Sequence, residues 1–307
     1  MAQFHIVLDQ LINCSFMLVI GYLAIRLKIY DTHFLDGLSS IILKVLLPLL
    51  IFTNAVHGTT LNDLMESSEI MVLSVIMYLA LMAVFRLSAN FLRLTAERKR
   101  MFQACMVFGN AGFIGIALVI NLFPDKGPIY VALMSIVDQF FLWTYGLALT
   151  IPKKESAAIP WKAFCNPVML AILAALLFII GRIPVPEDIF SPLKLLGSTA
   201  VPLSLVYLGS FFALCHWSPV LRDHELYVGI LLKQVLFSLG FYAVLRYFHF
   251  RPDMVQTIVL ISALPTMSTI AMFAEAHRNM ADYAMGFVLV TTAASLFTIS
   301  FVSYFIF

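Results

Sequence analysis

The sequence predicts an all-α polytopic membrane protein: ten transmembrane helices in two inverted five-helix repeats, with broken helices four and nine crossing. Three observations lead there. Hydrophobic residues make up 62% of the 307 residues and charged residues 12%, with a mean hydropathy of +0.96. A soluble domain is about 25% charged. Apolar runs of bilayer-spanning length recur along the whole chain, and at about 20 residues each roughly ten fit. The two halves also share polar and proline markers at a near-constant spacing.

The spans lie at 6–25, 34–57, 69–92, 100–122, 128–151, 164–181, 193–214, 224–246, 254–275 and 281–305. The first lacks a basic leader and an A-x-A cleavage site and is followed by Arg26 and Lys28, which reads as a retained helix rather than a signal peptide. Turn chemistry separates the others. His57-Gly58-Thr59-Thr60 ends the second, Pro124-Asp125-Lys126-Gly127-Pro128 parts the fourth and fifth, and Ile183-Pro184-Val185-Pro186 follows the sixth. Pro152 to Lys162 is the longest polar connection.

Arg26, Lys28, Arg93, Arg98, Lys99, Arg100, Lys153, Lys154, Lys162, Arg222 and Arg278 fall on one side of this layout. Lys126, Arg182, Lys194, Arg246 and Arg251 fall on the other. The positive-inside rule makes the first set cytoplasmic and both termini extracytoplasmic. The expected location is a bacterial inner (cell) membrane. A net charge of +2 is too small to suggest nucleic-acid binding. Cys14, Cys105, Cys165 and Cys215 are far apart and read as free thiols rather than a disulfide or zinc framework.

The fourth span carries Phe108-Gly109-Asn110-Ala111-Gly112-Phe113-Ile114-Gly115 at its centre. Glycine costs about 1 kcal/mol in a helix interior relative to alanine. In hydrocarbon every freed backbone group needs a partner. Gly109, Gly112 and Gly115 therefore mark either a helix break at a midplane site or a small-residue packing face.

The repeat bears on that choice. At a spacing of about 153 residues, Asn13 falls on Asn166, Arg93 on Arg246, Met101 on Met254 and Tyr130 on Tyr283, while Pro48 meets Pro202 with a one-residue slip. Residues 1–152 and 160–307 then form two units of five spans, and an odd number inverts the second. The spacing sets Gly112 against Pro265, inside Ser262-Ala263-Leu264-Pro265-Thr266-Met267-Ser268-Thr269. Proline removes an N–H and breaks the preceding turn. Two interrupted helices in corresponding places favour the crossed arrangement over simple packing.

Leu47-Pro48-Leu49-Leu50-Ile51-Phe52, Asn110-Ala111-Gly112-Phe113-Ile114-Gly115, Asn166-Pro167, Leu196-Gly197, Val201-Pro202-Leu203-Ser204-Leu205 and Leu208-Gly209 stand in order along the chain. In these motifs the sequence resembles the auxin efflux carrier family, part of the bile acid/auxin transporter superfamily. Its members include bacterial malonate-type and malate-type permeases and the plant auxin exporters. The resemblance implies a scaffold of spans 1, 2, 6 and 7 that forms a homodimer, and a transport domain of spans 3–5 and 8–10 that moves elevator-fashion. It carries the crossover asparagine onto Asn110 and the crossover proline of the ninth span onto Pro265. Gly112 and Ala117 stand where relatives have proline, and the long loop of many plant exporters is absent.

The residues around the two breaks, Asn110, Ala111, Gly112, Phe113, Leu264, Pro265, Thr266 and Met267, are the candidate substrate site. Broken helices present free N–H groups and positive dipole ends, which suits a carboxylate. The bland alternative for Asn110 is a helix–helix hydrogen bond. Asp138, with Gln139 beside it, is an intramembrane carboxyl and a candidate proton carrier or a structural hydrogen-bonded group. Lys44 and Lys233 could pair with Asp138, line the pathway or snorkel, and Arg86 is a weaker candidate. Glu275 and His277 read as interfacial, and Tyr145 or Phe113 as cavity lining.

These features point to a secondary carrier of small organic anions, driven by membrane potential or a proton gradient. Membrane lipid and a second copy are the other expected partners, and no cofactor or metal is expected. A sodium-coupled symporter of the bile-acid type is the nearest alternative, with Asn110, Ser262, Thr266, Ser268 and Thr269 as oxygen donors. Neither a G-x-S-x-G nor a zinc signature supports an intramembrane enzyme, and a non-transporting receptor is the remaining class.

Overall fold

The computed structural model describes residues 2–56, 67–124, 126–153, 167–214, 216 and 218–307, with the side chains of 2–11, 113, 116, 117 and 128 outside that description. Cys165, Cys215, Asn166 and the turn from His57 to Thr60 lie outside the described residues. The described part is helical, with no strand longer than a single bridge.

In chain order the helices are α1 (Ala2–Arg26), α2 (Thr32–Val56), α3 (Ser68–Phe91), α4 (Ala96–Val107) and α5, which opens as a π-turn, Ala111–Gly115, and continues as Ile116–Leu122. Helix α6 runs Gly127–Phe141, passes through a π-turn, Leu142–Gly146, and ends at Leu147–Thr150. Then follow α7 (Pro167–Ile180), α8 (Glu187–Leu214), α9 (His224–Tyr247), α10 (Pro252–Ser262), α11 (Ser268–Ala276) and α12 (Ala281–Ile306). Six of these, α2, α3, α6, α8, α9 and α12, are long and apolar enough to cross a membrane. The α4–α5 and α10–α11 pairs fail that length test because each is interrupted. Their halves include stretches of only 12, 11 and 9 residues. Helix α8 begins at Glu187, earlier than the 193 expected, because Glu187 and Asp188 favour a helix N-terminus and Pro192 is accommodated inside the helix.

Five helices end alike. Lys28, Arg93, Arg182, His249 and Arg278 all adopt the left-handed conformation just past a helix, with φ of 57°, 53°, 52°, 57° and 48°. That conformation costs a side-chain-bearing residue roughly 1–2 kcal/mol. At Lys28, Arg93, Arg182 and Arg278 the side-chain cation at a helix C-terminus regains part of it through the dipole. Behind α1 the N–H of Ile29 returns to the Ala24 carbonyl, and behind α7 that of Ile183 returns to Phe178. Leu94 to Ala89 and Phe250 to Leu245 repeat the bond behind α3 and α9.

Two groups of helices pack tightly. In the first, α1 lies on α8, and α2 lies on α7 and α8. The α1–α8 contact is set by glycines on both sides. A Cβ on Gly21 would sit 2.0 Å from the Val206 carbonyl oxygen, and one on Gly209 would sit 1.9 Å from that of Leu18. Ser210 Oγ donates to the Gly21 carbonyl at 3.0 Å and pairs with the Tyr30 hydroxyl at 2.7 Å. In the second group α3 packs on α4 and α6, α9 on α10, and α11 on α12. On one face of the molecule Arg98 pairs with Asp223 and with buried Glu225, and lies over the Tyr283 ring.

Candidate functional site

The breaks in α4–α5 and α10–α11 meet. Gly109 and Thr266 form an isolated antiparallel bridge. The Asn110 N–H donates to the Pro265 carbonyl at 2.8 Å, and the Met267 N–H donates to the Phe108 carbonyl at 3.0 Å. Two unwound segments thus satisfy each other where water is excluded, which the bilayer interior demands of any non-helical backbone. Pro265 has no N–H to satisfy and needs none. The Thr266 N–H is taken by Thr291 Oγ1 from α12, at 2.9 Å.

This crossing has a local two-fold character. Exchanging its two bonds maps Phe108 onto Pro265 and Asn110 onto Met267, a spacing of 157 residues. The sequence spacing of about 153, which sets Gly112 against Pro265, differs from this by four. One helical turn of slip preserves the apolar pattern, so the sequence alone does not reveal it. The glycines separate accordingly. Gly109 lies in the break, where a Cβ would meet the Ile261 carbonyl oxygen and Leu264 Cβ at 3.2 Å. Gly112 and Gly115 lie beyond it, inside the π-turn of α5. Gly115 is small because α10 is close: a Cβ there would meet Ile261 Cδ1 at 2.7 Å. Gly112 has room, its nearest neighbour being Met267 Cε at 3.8 Å.

Asn110 caps α5. Its carbonyl accepts from the Ile114 and Gly115 N–H groups at 3.1 and 3.0 Å. Met267 occupies the corresponding place before α11, and its carbonyl accepts from the Ile270 N–H at 3.1 Å. Two helix N-termini, each the positive end of a dipole, therefore flank one crossing. Around them, Asn110 Oδ1, Thr266 Oγ1, Ser268 Oγ and Thr269 Oγ1 are buried and lack a protein hydrogen-bond partner. A buried polar atom left unpaired costs about 1–3 kcal/mol, and these four lie on or next to the two interrupted segments. Leu264 and Met267 are fully buried and supply apolar walls, Ala111 is half-buried, and the Phe113 side chain lies outside the described residues.

Asp138 stands one layer behind. Buried, it accepts from the Tyr78 hydroxyl through Oδ1 and from Gln139 Nε2 through Oδ2, the latter at 3.0 Å. Gln139 Oε1 in turn accepts from Trp143 Nε1 at 3.2 Å. The Tyr78 ring packs on Phe108, 5.8 Å between centroids, so this network abuts the break. Lys233 is buried in the interior, and its Nζ lacks a protein hydrogen-bond partner. Lys44 is exposed on α2 and makes none of the contacts that hold Asp138, because the π-turn Ile42–Leu46 leaves its position on the outer face. Arg86 is likewise exposed. Tyr145 donates to Gln103 Oε1 at 3.0 Å, and Glu275 lines a cavity of about 360 Å³ between α2, α8 and the start of α12, with Asp36 and Asp282.

Sequence reasoning missed Tyr78 and Thr291. Each sits in an apolar helix, and nothing in its own segment names its partner. Thr291→Val is expected to lower the melting temperature by several degrees, since it orphans the Thr266 N–H at about 1–3 kcal/mol. Thr291→Ser, which keeps the acceptor, should recover most of the loss in the same thermal unfolding assay.

A family model described as membrane transport protein matches residues 6–303. Among curated proteins, the "Putative malonate transporter" of Rhizobium meliloti (strain 1021) is 23% identical over 300 residues, covering 94% of this chain and 92% of that protein. The "Uncharacterized transporter C5D6.04" of Schizosaccharomyces pombe is 27% identical over 137 residues, 38% of this chain and 30% of that one. A helical chain with apolar spans, matched from end to end in this way, belongs to the membrane transport protein family, the auxin efflux carriers.

Proposed function

We propose that the chain is a secondary carrier of small organic anions, with its substrate site at the crossing of the two breaks. One observation carries this reading: two helix N-termini flank the crossing, and the hydroxyls of Thr266, Ser268 and Thr269 are buried there without protein partners. Fixed dipoles and neutral donors hold a carboxylate without a permanent counter-charge, which leaves release possible. The name of the Rhizobium relative makes malonate the first substrate to try.

Taking α4–α5 and α10–α11 each as one interrupted crossing gives ten crossings in two sets of five, residues 1–152 and 160–307, the second inverted. The matched left-handed caps at Lys28 and Arg182, and at Arg93 and His249, support that pairing. The α1, α2, α7, α8 group would be the scaffold and dimer-forming part, the remainder the elevator. The acidic cavity would lie on the seam between them. The basic connections would face the cytoplasm and both termini the opposite side. An exported monoanion gains about 2.3 kcal/mol per 100 mV, inside negative, so export needs no coupled ion and uptake needs one.

The unpaired hydroxyls of Thr266, Ser268 and Thr269 are also fair sodium donors, which keeps a sodium-coupled symporter as the second reading. A thermal-shift screen of purified protein against mono- and dicarboxylates, with and without sodium and across pH, decides between them. A ligand that binds the folded state raises stability as ln(1 + [L]/Kd). Carboxylate stabilisation without sodium is expected. Stabilisation by sodium alone, or only by neutral solutes, would sink the organic-anion reading.

A further inference from the structure

A spacing of 153 residues sets Arg98 against Arg251 and Tyr130 against Tyr283, and none of the four lies at the crossing. Instead they build two clasps, each with carboxylate at its centre. In the first, Arg98, in the opening turn of α4, pairs with Asp223 and Glu225 at the start of α9. Its guanidinium lies 5.2 Å from the centre of the Tyr283 ring of α12, and the Tyr283 hydroxyl donates to Glu225 Oε1 at 3.3 Å. In the second, Asp253, in the opening turn of α10, accepts from the Tyr130 hydroxyl of α6 at 2.6 Å and from Arg251 at 3.1 Å, with Lys126 Nζ at 3.9 Å. Each clasp ties the entry of one interrupted helix to a helix of the other half of the chain. Helix α9 runs from the first clasp almost to the second, and its 24 residues set the two about 36 Å apart.

An interrupted helix needs such an anchor. Its outer half, 12 residues in α4 and 11 in α10, meets the other at the crossing through two backbone hydrogen bonds. A slide of one residue along the axis moves a side chain by about 1.5 Å and turns it by about 100°. A binding constellation works only when held to within about 0.5 Å. Arg98 suits the task. Its planar fork takes one carboxylate through Nε and another through Nη2 while its face covers Tyr283, which fixes slide and rotation together. Stability alone does not account for the clasps. The side chains of Arg98 and Asp253 are 34% and 27% exposed, and ion pairs open to solvent add little.

We propose that the two clasps are positioning elements of the crossing. They hold the outer halves of α4 and α10 so that the segments around Asn110 and Met267 meet in register. Arg98 stands 12 residues before Asn110, about 18 Å along a helix, so it acts on the site through α4 and not by contact. Both clasps lie within the group of α3, α4, α6 and α9 to α12, so they stiffen that group and are not a gate between it and the other. This rests on the carrier reading above and adds the residues that align its site.

Hydrogen–deuterium exchange of the purified protein, read on peptides over 108–115 and 263–270, tests this together with malonate binding. Arg98→Lys keeps the charge and loses the fork. Tyr130→Phe loses only a hydroxyl. Each is expected to speed exchange at the crossing by about ten-fold and to weaken malonate binding by about three- to ten-fold. The melting temperature should stay within about 2 °C of wild type. Each variant stands as a test without the other. Lys99→Met is the control, because the Lys99 hydrogen bond goes to Asn90 of α3, inside the same half, and it should change none of the three readings. Exchange that quickens only beside the substituted residue, or unchanged malonate affinity, overturns the proposal. Failure of the carrier reading looks different: wild-type protein binds neither malonate nor any other carboxylate of the screen. Exchange at the crossing then decides alone, and wild-type exchange there in both variants overturns the positioning role.

Discussion

Asn110→Ala is expected to weaken carboxylate binding by about ten- to hundred-fold while leaving the fold intact. Asn110 Oδ1 has no protein partner, so truncation breaks no protein hydrogen bond at that atom. The cap of α5 is made by the Asn110 backbone carbonyl, which the substitution keeps. A hydrogen bond donated by Asn110 Nδ2 to a bound carboxylate would be worth about 1.5–3 kcal/mol, which is a factor of about 10–150 in affinity. Equilibrium binding together with thermal unfolding separates the two effects. Asn110→Asp sharpens the test. It keeps the shape and adds a negative charge, so an anion should be rejected and a sodium ion should bind more tightly. Unchanged carboxylate affinity in both variants would remove Asn110 from the site.

Gly209→Val is expected to abolish the folded protein. The added Cβ alone would lie 1.9 Å from the Leu18 carbonyl oxygen and 2.7 Å from its carbonyl carbon. Those are backbone atoms in the middle of a helix and cannot turn aside as a side-chain tip would. The α1 and α8 axes would have to part, breaking the Ser210–Gly21 contact as well. Overpacking usually costs about 1–3 kcal/mol. With backbone as the obstacle the loss should reach or exceed the top of that range, and size-exclusion chromatography after detergent extraction should show aggregate rather than a symmetric peak. Gly37→Ala is the control, because a Cβ there meets nothing within 4 Å. A monodisperse Gly209→Val protein with normal unfolding would mean that α1 and α8 do not approach as closely as described.

The helical class, the apolar spans and the existence of both breaks were legible because each rests on local chemistry. Hydropathy marks a span, proline removes an N–H at Pro265, and glycine next to Asn110 disfavours a continuous helix. Local chemistry also pointed to Asn110 and Asp138, since a polar side chain in an apolar run needs a reason. What it could not supply was register and partnership. A slip of one turn leaves the apolar pattern unchanged, so the bonding of Asn110 to Pro265 and of Met267 to Phe108 emerged only from the crossing itself. Lys44 and Lys233 look alike in sequence, each a lone cation in an apolar helix. One faces outward on α2 and the other is sealed in the interior. Tyr78 and Thr291 owe their roles to contacts across 60 and 25 residues of chain. The sequence by itself determined which segments are helical and apolar and where two of them break, because those are properties of each segment's own transfer and backbone energies. Only the tertiary structure decided which polar atoms meet, because burial and hydrogen bonding belong to pairs of segments that the chain order does not bring together.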